Sequence, residues 1–358
     1  MVQTLNRCRS CGLPGKLAER LEWRSGGTIT LARIRSLRLA LMDASTMESI
    51  HAVVAAEAGD AAFMAAHKEA AHLVAGKVMA GIKGRLTRYG AIKKRALEAM
   101  EEYSLLLGMG RIEMEKFAPG GGGSLVVHRP FDITAVAGGI TGVLEEMDRC
   151  AYRVEISAAA GRLYRIVLES TESEDRDEAS PRDFAFGRVK YEGEKIKGCP
   201  MCGLPDFISM LSWDEVYGTV TAGRGGRRVA FLPAYMLDIT GSLGKDGKTS
   251  NRSELVEEAI YAATIRNIES GSDDAYESKA VVPLDSDAQA ACASMRMRGW
   301  GEVAGYELQG QDWWFEVINA VHEGLIAGWL RALYVAATGK EAPVGIEKVR
   351  TGTIFSLG

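Results

Sequence analysis

Two stretches of the chain, Cys8-Arg9-Ser10-Cys11-Gly12-Leu13-Pro14 and Cys199-Pro200-Met201-Cys202-Gly203-Leu204-Pro205, carry one pattern at an offset of 191 positions. The offset recurs downstream. Gly27-Thr28-Ile29-Thr30 falls on Gly218-Thr219-Val220-Thr221, Arg33 on Arg224, Gly108-Met109-Gly110 on Gly299-Trp300-Gly301, Asp132 on Glu323 and Gly161 on Gly352. Trp23 lies within one residue of the register of Trp213. Chance matches would scatter over many offsets, so the shared register predicts a duplicated domain. The period is too long for a solenoid repeat, and each copy reads as a whole domain. The expected layout is a first copy over residues 1–168, an acidic connector over 169–198 and a second copy over 199–358, related by an internal pseudo-two-fold.

The net charge of −4 and pI near 5.9 argue against nucleic acid as the main partner, which needs a concentrated basic surface. Lys93-Lys94-Arg95 and Arg227-Arg228 are too short for that role. Asn6, Arg7 and Arg9 interrupt any apolar leader, and the most apolar window, Gly324 to Gly339, contains Arg331 and is shorter than a bilayer requires. The expectation is a soluble, cytoplasmic protein without a membrane span.

Within each copy the pattern runs from the cysteine pair to a short β-like stretch at Thr28-Ile29-Thr30 or Thr219-Val220-Thr221. A helical region follows, about Thr46 to Leu107 in the first copy and from about Ser253 in the second. After a Gly-X-Gly turn come strands at Arg111 to Phe117 and Ser124 to His128, matched by Glu302 to Leu308 and Trp313 to Ile318. A helix carrying Val136, Ile140, Val143, Leu144 and Met147, or Leu325, Trp329, Leu330 and Leu333, leads to a closing strand. Phe184 to Tyr191, in the connector, alternates like a short strand. Helices packed on small antiparallel sheets predict an α+β class.

Gly299-Trp300-Gly301-Glu302, two strands, Asn319-Ala-Val-His322-Glu323, the helix to Thr338 and the closing strand resemble the vinyl-4-reductase domain family over about 60 residues of each copy. The resemblance implies α+β modules that bind small hydrophobic or aromatic molecules. The family pattern often carries cysteines near the final strands; here none follows Cys292.

Cys-X-X-Cys-Gly places two thiolates on one tight turn, with a glycine free to adopt positive φ. One turn supplies two ligands and tetrahedral zinc needs four, so Cys8, Cys11, Cys199 and Cys202 are the candidate metal set. Iron suits the same ligands; redox centres, pairing with another chain in a homodimer, and thiols without metal are the alternatives. Cys150 and Cys292 read as ordinary buried thiols. His51, His67 and His72 read as part of a solvated helix, His67 and His72 being five apart and so poorly placed for joint ligation.

The second copy is rich in aromatics where the first has Gly120 to Gly123. Trp300, Trp313 and Trp329, with His322 as a polar orienter, are the candidate ligand-binding residues, against core packing as the plainer role. At the 191 offset, His128 matches Asn319 and His322 matches Phe131. The expected function is binding a small hydrophobic molecule as a carrier or accessory protein. The rival is a reductase or cofactor-processing enzyme using an external redox cofactor. No Rossmann fingerprint, nucleophile elbow or phosphate loop is present in the sequence.

Overall fold

A computed structural model describes residues 5–32, 34–80, 90–118, 120–171, 193–196, 198–223, 226–240, 252–269 and 284–358. After the first cysteine pair, α1 (Gly15–Arg20) leads into β1 (Leu21–Arg24), β2 (Thr28–Leu31) and β3 (Ile34–Asp43). Three helices follow, α2 (Ala44–Ala58), α3 (Asp60–Ala80) and α4 (Gly90–Leu107), where the sequence pattern predicts one helical region. Gly59, at φ +82°, stops α2 in the left-handed region that glycine enters without a Cβ penalty. Next come β4 (Arg111–Ala118), β5 (Gly122–His128), α5 (Ile133–Asp148), β6 (Ala151–Ala158) and β7 (Leu163–Thr171). The rest of the chain has β8 (Leu211–Asp214), β9 (Thr219–Ala222), β10 (Arg227–Pro233), α6 (Tyr235–Thr240), α7 (Arg252–Glu269) and α8 (Leu284–Arg298). It closes with β11 (Glu302–Gln309), β12 (Asp312–Ile318), α9 (Glu323–Thr338), β13 (Gly345–Lys348) and β14 (Thr353–Leu357).

The described residues are therefore mixed α/β with antiparallel pairing. Two four-stranded sheets have the same order, β4-β5-β7-β6 and β11-β12-β14-β13, and a six-stranded sheet runs β1-β2-β3-β10-β9-β8. β3 and β10 were not legible as strands, because their runs Leu39-Ala-Leu-Met42 and Val229-Ala-Phe-Leu232 lack the alternation of a half-exposed strand. No described helix is long and apolar enough to cross a membrane. Arg33, Arg224 and the predicted strand Phe184 to Tyr191 lie outside the described residues.

The constant 191 offset needs correction. β4 and β11 keep it, but the β4–β5 turn holds three residues and the β11–β12 turn two, so β5 and β12 correspond at 190. Arg129, not His128, then corresponds to Asn319, and both have positive φ (43° and 55°). Asp132, not Phe131, corresponds to His322, and each caps the helix that follows. In the last strand the offset is 189. Ile166 pairs with Leu125 where Phe355 pairs with Phe315, so Gly161 and Gly352 are not equivalent.

The chain divides into two compact units, each discontinuous in sequence. One comprises Met1–Thr4, Val54–Phe184 and Trp213–Val220; the other comprises Leu5–Val53, Ala185–Ser212 and Thr221–Gly358. Within the first, α3 packs on α5 so closely that a Cβ at Gly138 would sit 2.4 Å from the Met64 carbonyl oxygen. A Cβ at Gly218 would meet Gly110 at 2.6 Å, and the Trp213 indole donates to the Leu106 carbonyl at 2.9 Å. Within the second unit, α7 packs on α9, and a Cβ at Gly328 would lie 2.2 Å from the Glu257 carbonyl oxygen. A Cβ at Gly27 would fall 2.0 Å from the Gly301 carbonyl carbon, and the Trp300 indole donates to the Leu41 carbonyl at 3.1 Å.

β3 also brings buried charge into the second unit. Asp43 accepts from Arg298 at 2.9 Å and lies 3.0 Å from Arg227, and the Arg38 guanidinium donates to the carbonyls of Gly299 (3.0 Å), Ala320 and Asn319. Burial pushes the Asp43 carboxyl up, but Arg298 and Arg227 outweigh it and hold it below the usual carboxylate range. Sequence reading missed this network. Its signal was two charges, Arg38 and Asp43, at either end of the apolar run Leu39-Ala-Leu-Met42.

Candidate metal centre

Each cysteine pair sits on a turn closed by the same two backbone bonds. The Cys8 N–H donates to the Leu13 carbonyl and the Gly12 N–H to the Cys8 carbonyl, both at 2.8 Å; the Cys199 N–H donates to Leu204 at 2.8 Å and the Gly203 N–H to Cys199 at 2.7 Å. Gly12 and Gly203 stand at φ +73° and +76°, a conformation in which a Cβ is strained. The Cys-X-X-Cys-Gly spacing thus reports a local turn, and its glycine has a stated conformational reason.

Both turns belong to the second unit, and the four sulfurs lie within 4.8 Å of one another. Cys8 Sγ is 3.8 Å from Cys199 Sγ, and Cys11 Sγ is 3.5 Å from Cys202 Sγ. A tetrahedron with metal–sulfur bonds of about 2.3 Å has edges of about 3.8 Å. The four sulfurs therefore enclose a space of the size a tetrathiolate metal ion fills, and the set can hold one. Cys199 is buried while Cys8, Cys11 and Cys202 are half-buried, so the cluster lies at the protein's edge.

The two positions of each turn differ electrostatically. Backbone N–H groups of Cys11 and Ser10 hold the Cys8 thiol below its ordinary value. The Cys202 N–H, opposed by burial and helped by the Met201 N–H, brings Cys199 down to about 6. Burial dominates at the second positions, pushing Cys11 up and Cys202 up to about 12. A cation held by these four thiols would supply the charge that lets them ionise together, which would couple metal binding to proton release.

The aromatic candidates lie elsewhere in the second unit. Trp300 and Trp329 are buried, edge to face with centroids 5.7 Å apart, and Trp313 packs against Tyr334 at 5.2 Å and Phe315 at 6.2 Å. The indole N–H groups of Trp313 and Trp329 have no hydrogen-bond partner among the described residues, a condition that costs about 1–3 kcal/mol for a buried donor. An open groove of about 490 Å³, lined by Glu307, Asp312, Trp313, Trp314 and Ser356 among others, borders the same strand.

His322 has a structural task. Its Nδ1 accepts the Leu325 N–H at 3.3 Å as the N-cap of α9, and burial pushes the imidazole down to about 4, so it is neutral at pH 7. The reading of the first-copy histidines also changes. His67 is buried, with its ring 4.4 Å from Phe63, because α3 turns that side toward α5; His72 Nε2 lies 3.1 Å from Glu146. Cys150 and Cys292 are half-buried rather than buried.

No protein-family model, curated protein or solved structure matches this chain.

Proposed function

We propose that this protein binds a small hydrophobic or aromatic molecule, as a carrier or accessory protein, on a scaffold tied by one zinc ion at Cys8, Cys11, Cys199 and Cys202. The observation that carries the metal part is the convergence of four sulfurs from two turns 191 positions apart. Four clustered sulfurs, joined by no fifth His, Cys or carboxylate ligand among the described residues, suit a structural zinc site, in which binding energy is folding energy. Such an ion ties the segment opening at Leu5 to the segment around Cys199 within one compact unit.

The ligand part draws on the sequence resemblance to vinyl-4-reductase-like modules in tandem. It is supported by the aromatic interior between β12 and α9, where two buried indole donors lack acceptors among the described residues. A ligand with an apolar body and one acceptor oxygen would satisfy such a donor, and aromatic walls supply contact area with little rotamer loss. His322, engaged as a helix cap, acts here by fixing the start of α9.

Elemental analysis and native mass spectrometry of the purified chain test both parts. One zinc per chain, lost in Cys199→Ser together with a lower melting temperature, is expected. Full metal retention in that variant would overturn the metal assignment. A retained small molecule that quenches tryptophan fluorescence, with weakened binding in Trp329→Phe, is expected for the ligand part; equal binding would remove Trp329 from the site.

A further inference from the structure

We propose that the cysteine cluster is also a modification site, at which a hydroperoxide converts the four thiols into two disulfides that run between the turns, Cys8 to Cys199 and Cys11 to Cys202. The inference rests on the sulfur cluster and not on which metal fills it. The two cross pairs already lie at 3.8 Å and 3.5 Å. A disulfide of about 2.05 Å therefore needs an approach of about 1.5–1.8 Å.

Each turn is closed on itself by two backbone hydrogen bonds, so this approach can occur as a small shift of one intact turn toward the other. Access is present as well, since three of the four cysteines are only half-buried. Sulfur chemistry at an exposed thiolate follows a known order. One thiolate attacks the hydroperoxide, its sulfur takes the terminal oxygen as the O–O bond breaks, and an alcohol leaves with a proton. The opposing thiolate attacks the resulting sulfenic sulfur, forming the S–S bond and expelling hydroxide, which leaves as water. Two thiols and one hydroperoxide thus give one disulfide, one alcohol and one water; two equivalents complete the cluster. Any bound metal loses its thiolate ligands in the process.

The direction of pairing decides the consequence. Disulfides within a turn would leave the turn at 8–11 untied from that at 199–202, whereas cross disulfides close a loop of 191 positions and keep the tie after the metal has gone. The fold of the second unit would therefore persist in either redox state.

The test treats the full-length protein, as purified and after chelation, with hydrogen peroxide. Released zinc is followed with a chromogenic chelator, and disulfides are mapped by mass spectrometry of non-reduced peptides. Expected are peptides joined Cys8–Cys199 and Cys11–Cys202 in both samples and reversal by dithiothreitol. The oxidised form should melt near the metal-loaded form and well above the reduced, stripped one. Disulfides within the turns, or sulfinic acid without disulfides, would overturn the proposal. Cross-linked peptides from a protein that carries no zinc as purified would sustain it and count against the zinc assignment alone.

Discussion

The β4–β7 region with α3 and α5, and the β11–β14 region with α7 and α9, share strand order and helix placement, yet they fill their interiors with different side chains. Where β12 and α9 place Trp313, Phe315, Trp329 and Tyr334, the corresponding positions of β5 and α5 are Gly123, Leu125, Gly139 and Leu144. Both regions seat a helix on a glycine, α3 on Gly138 and α7 on Gly328, but the first does so twice: an added Cβ at Gly142 would sit 2.1 Å from the Lys68 carbonyl oxygen, where the second region has Ala332. The outward faces differ as well. Arg153 pairs with Glu169 and Arg165 with Glu115 at 2.7 Å on the first sheet. On the second, the row Glu307, Trp314, Ser356, Gly345 borders the open groove. One topology therefore tolerates different proportions of backbone proximity and aromatic bulk in its core, because close packing constrains total volume and not which element supplies it.

That contrast can be broken most sharply at the two ends of one correspondence. Trp329→Ala should destabilise the second region by about 3–5 kcal/mol, the usual cost of truncating a buried large aromatic. Denaturant unfolding followed through the remaining tryptophans measures it; a loss under about 1 kcal/mol would mean that the aromatic interior is not the core of that region.

Next in size are the paired glycines. Gly27→Ala and Gly218→Ala each place a Cβ within 2.0–2.6 Å of backbone at positive φ, so each should cost about 3 kcal/mol, the first in the second unit and the second in the first. Hydrogen exchange separates the two sites. Exchange rising in the same segment for both variants would contradict equivalent roles.

The helix caps give a smaller and pH-dependent difference. Asp132→Ala should cost about 1 kcal/mol at pH 7, since the carboxylate accepts the Ala135 N–H at 2.7 Å. His322 has a folded-state value of about 4, below the ordinary 6.5, so its contribution is present above pH 6.5 and is lost as pH falls through about 4. Thermal melts from pH 7 to 4 should show a fall that His322→Asn, a cap that does not titrate, reduces. Identical profiles for parent and variant would remove His322 as the cause.

The smallest expected effect is a gain. Gly139 lies mid-helix in α5 with nothing within 4 Å of an added Cβ, so Gly139→Ala should stabilise by about 0.5–1 kcal/mol, opposite in sign to Trp329→Ala at the corresponding position. A melting temperature lower than the parent's would show that the first region has no room there.

Local chemistry made much of this legible. The strands around Leu125 and Val127 or Trp313 and Phe315 declare themselves by alternation, and α5 and α9 by helical spacing. The Cys-X-X-Cys-Gly turns declare themselves by their glycines. The buried place of His67 was not legible, because a polar residue on α3 gives no sign of which neighbour covers it until α5 is in position. Nor was the drift of the offset from 191 to 189, which follows from one residue more in a hairpin turn and a further shift before the final strand.

The sequence by itself determined the two cysteine turns, the paired hairpins and the helices that follow them, since each depends on interactions among residues close in the chain. Only the tertiary structure decided that residues 5–53 belong with 221–358, that β3 and β10 pair through Leu41 and Phe231, and that four sulfurs converge from turns 191 positions apart. Those outcomes depend on which apolar faces and backbones meet across long separations. Burial is non-directional, and a list of residues does not name the partner each face will find.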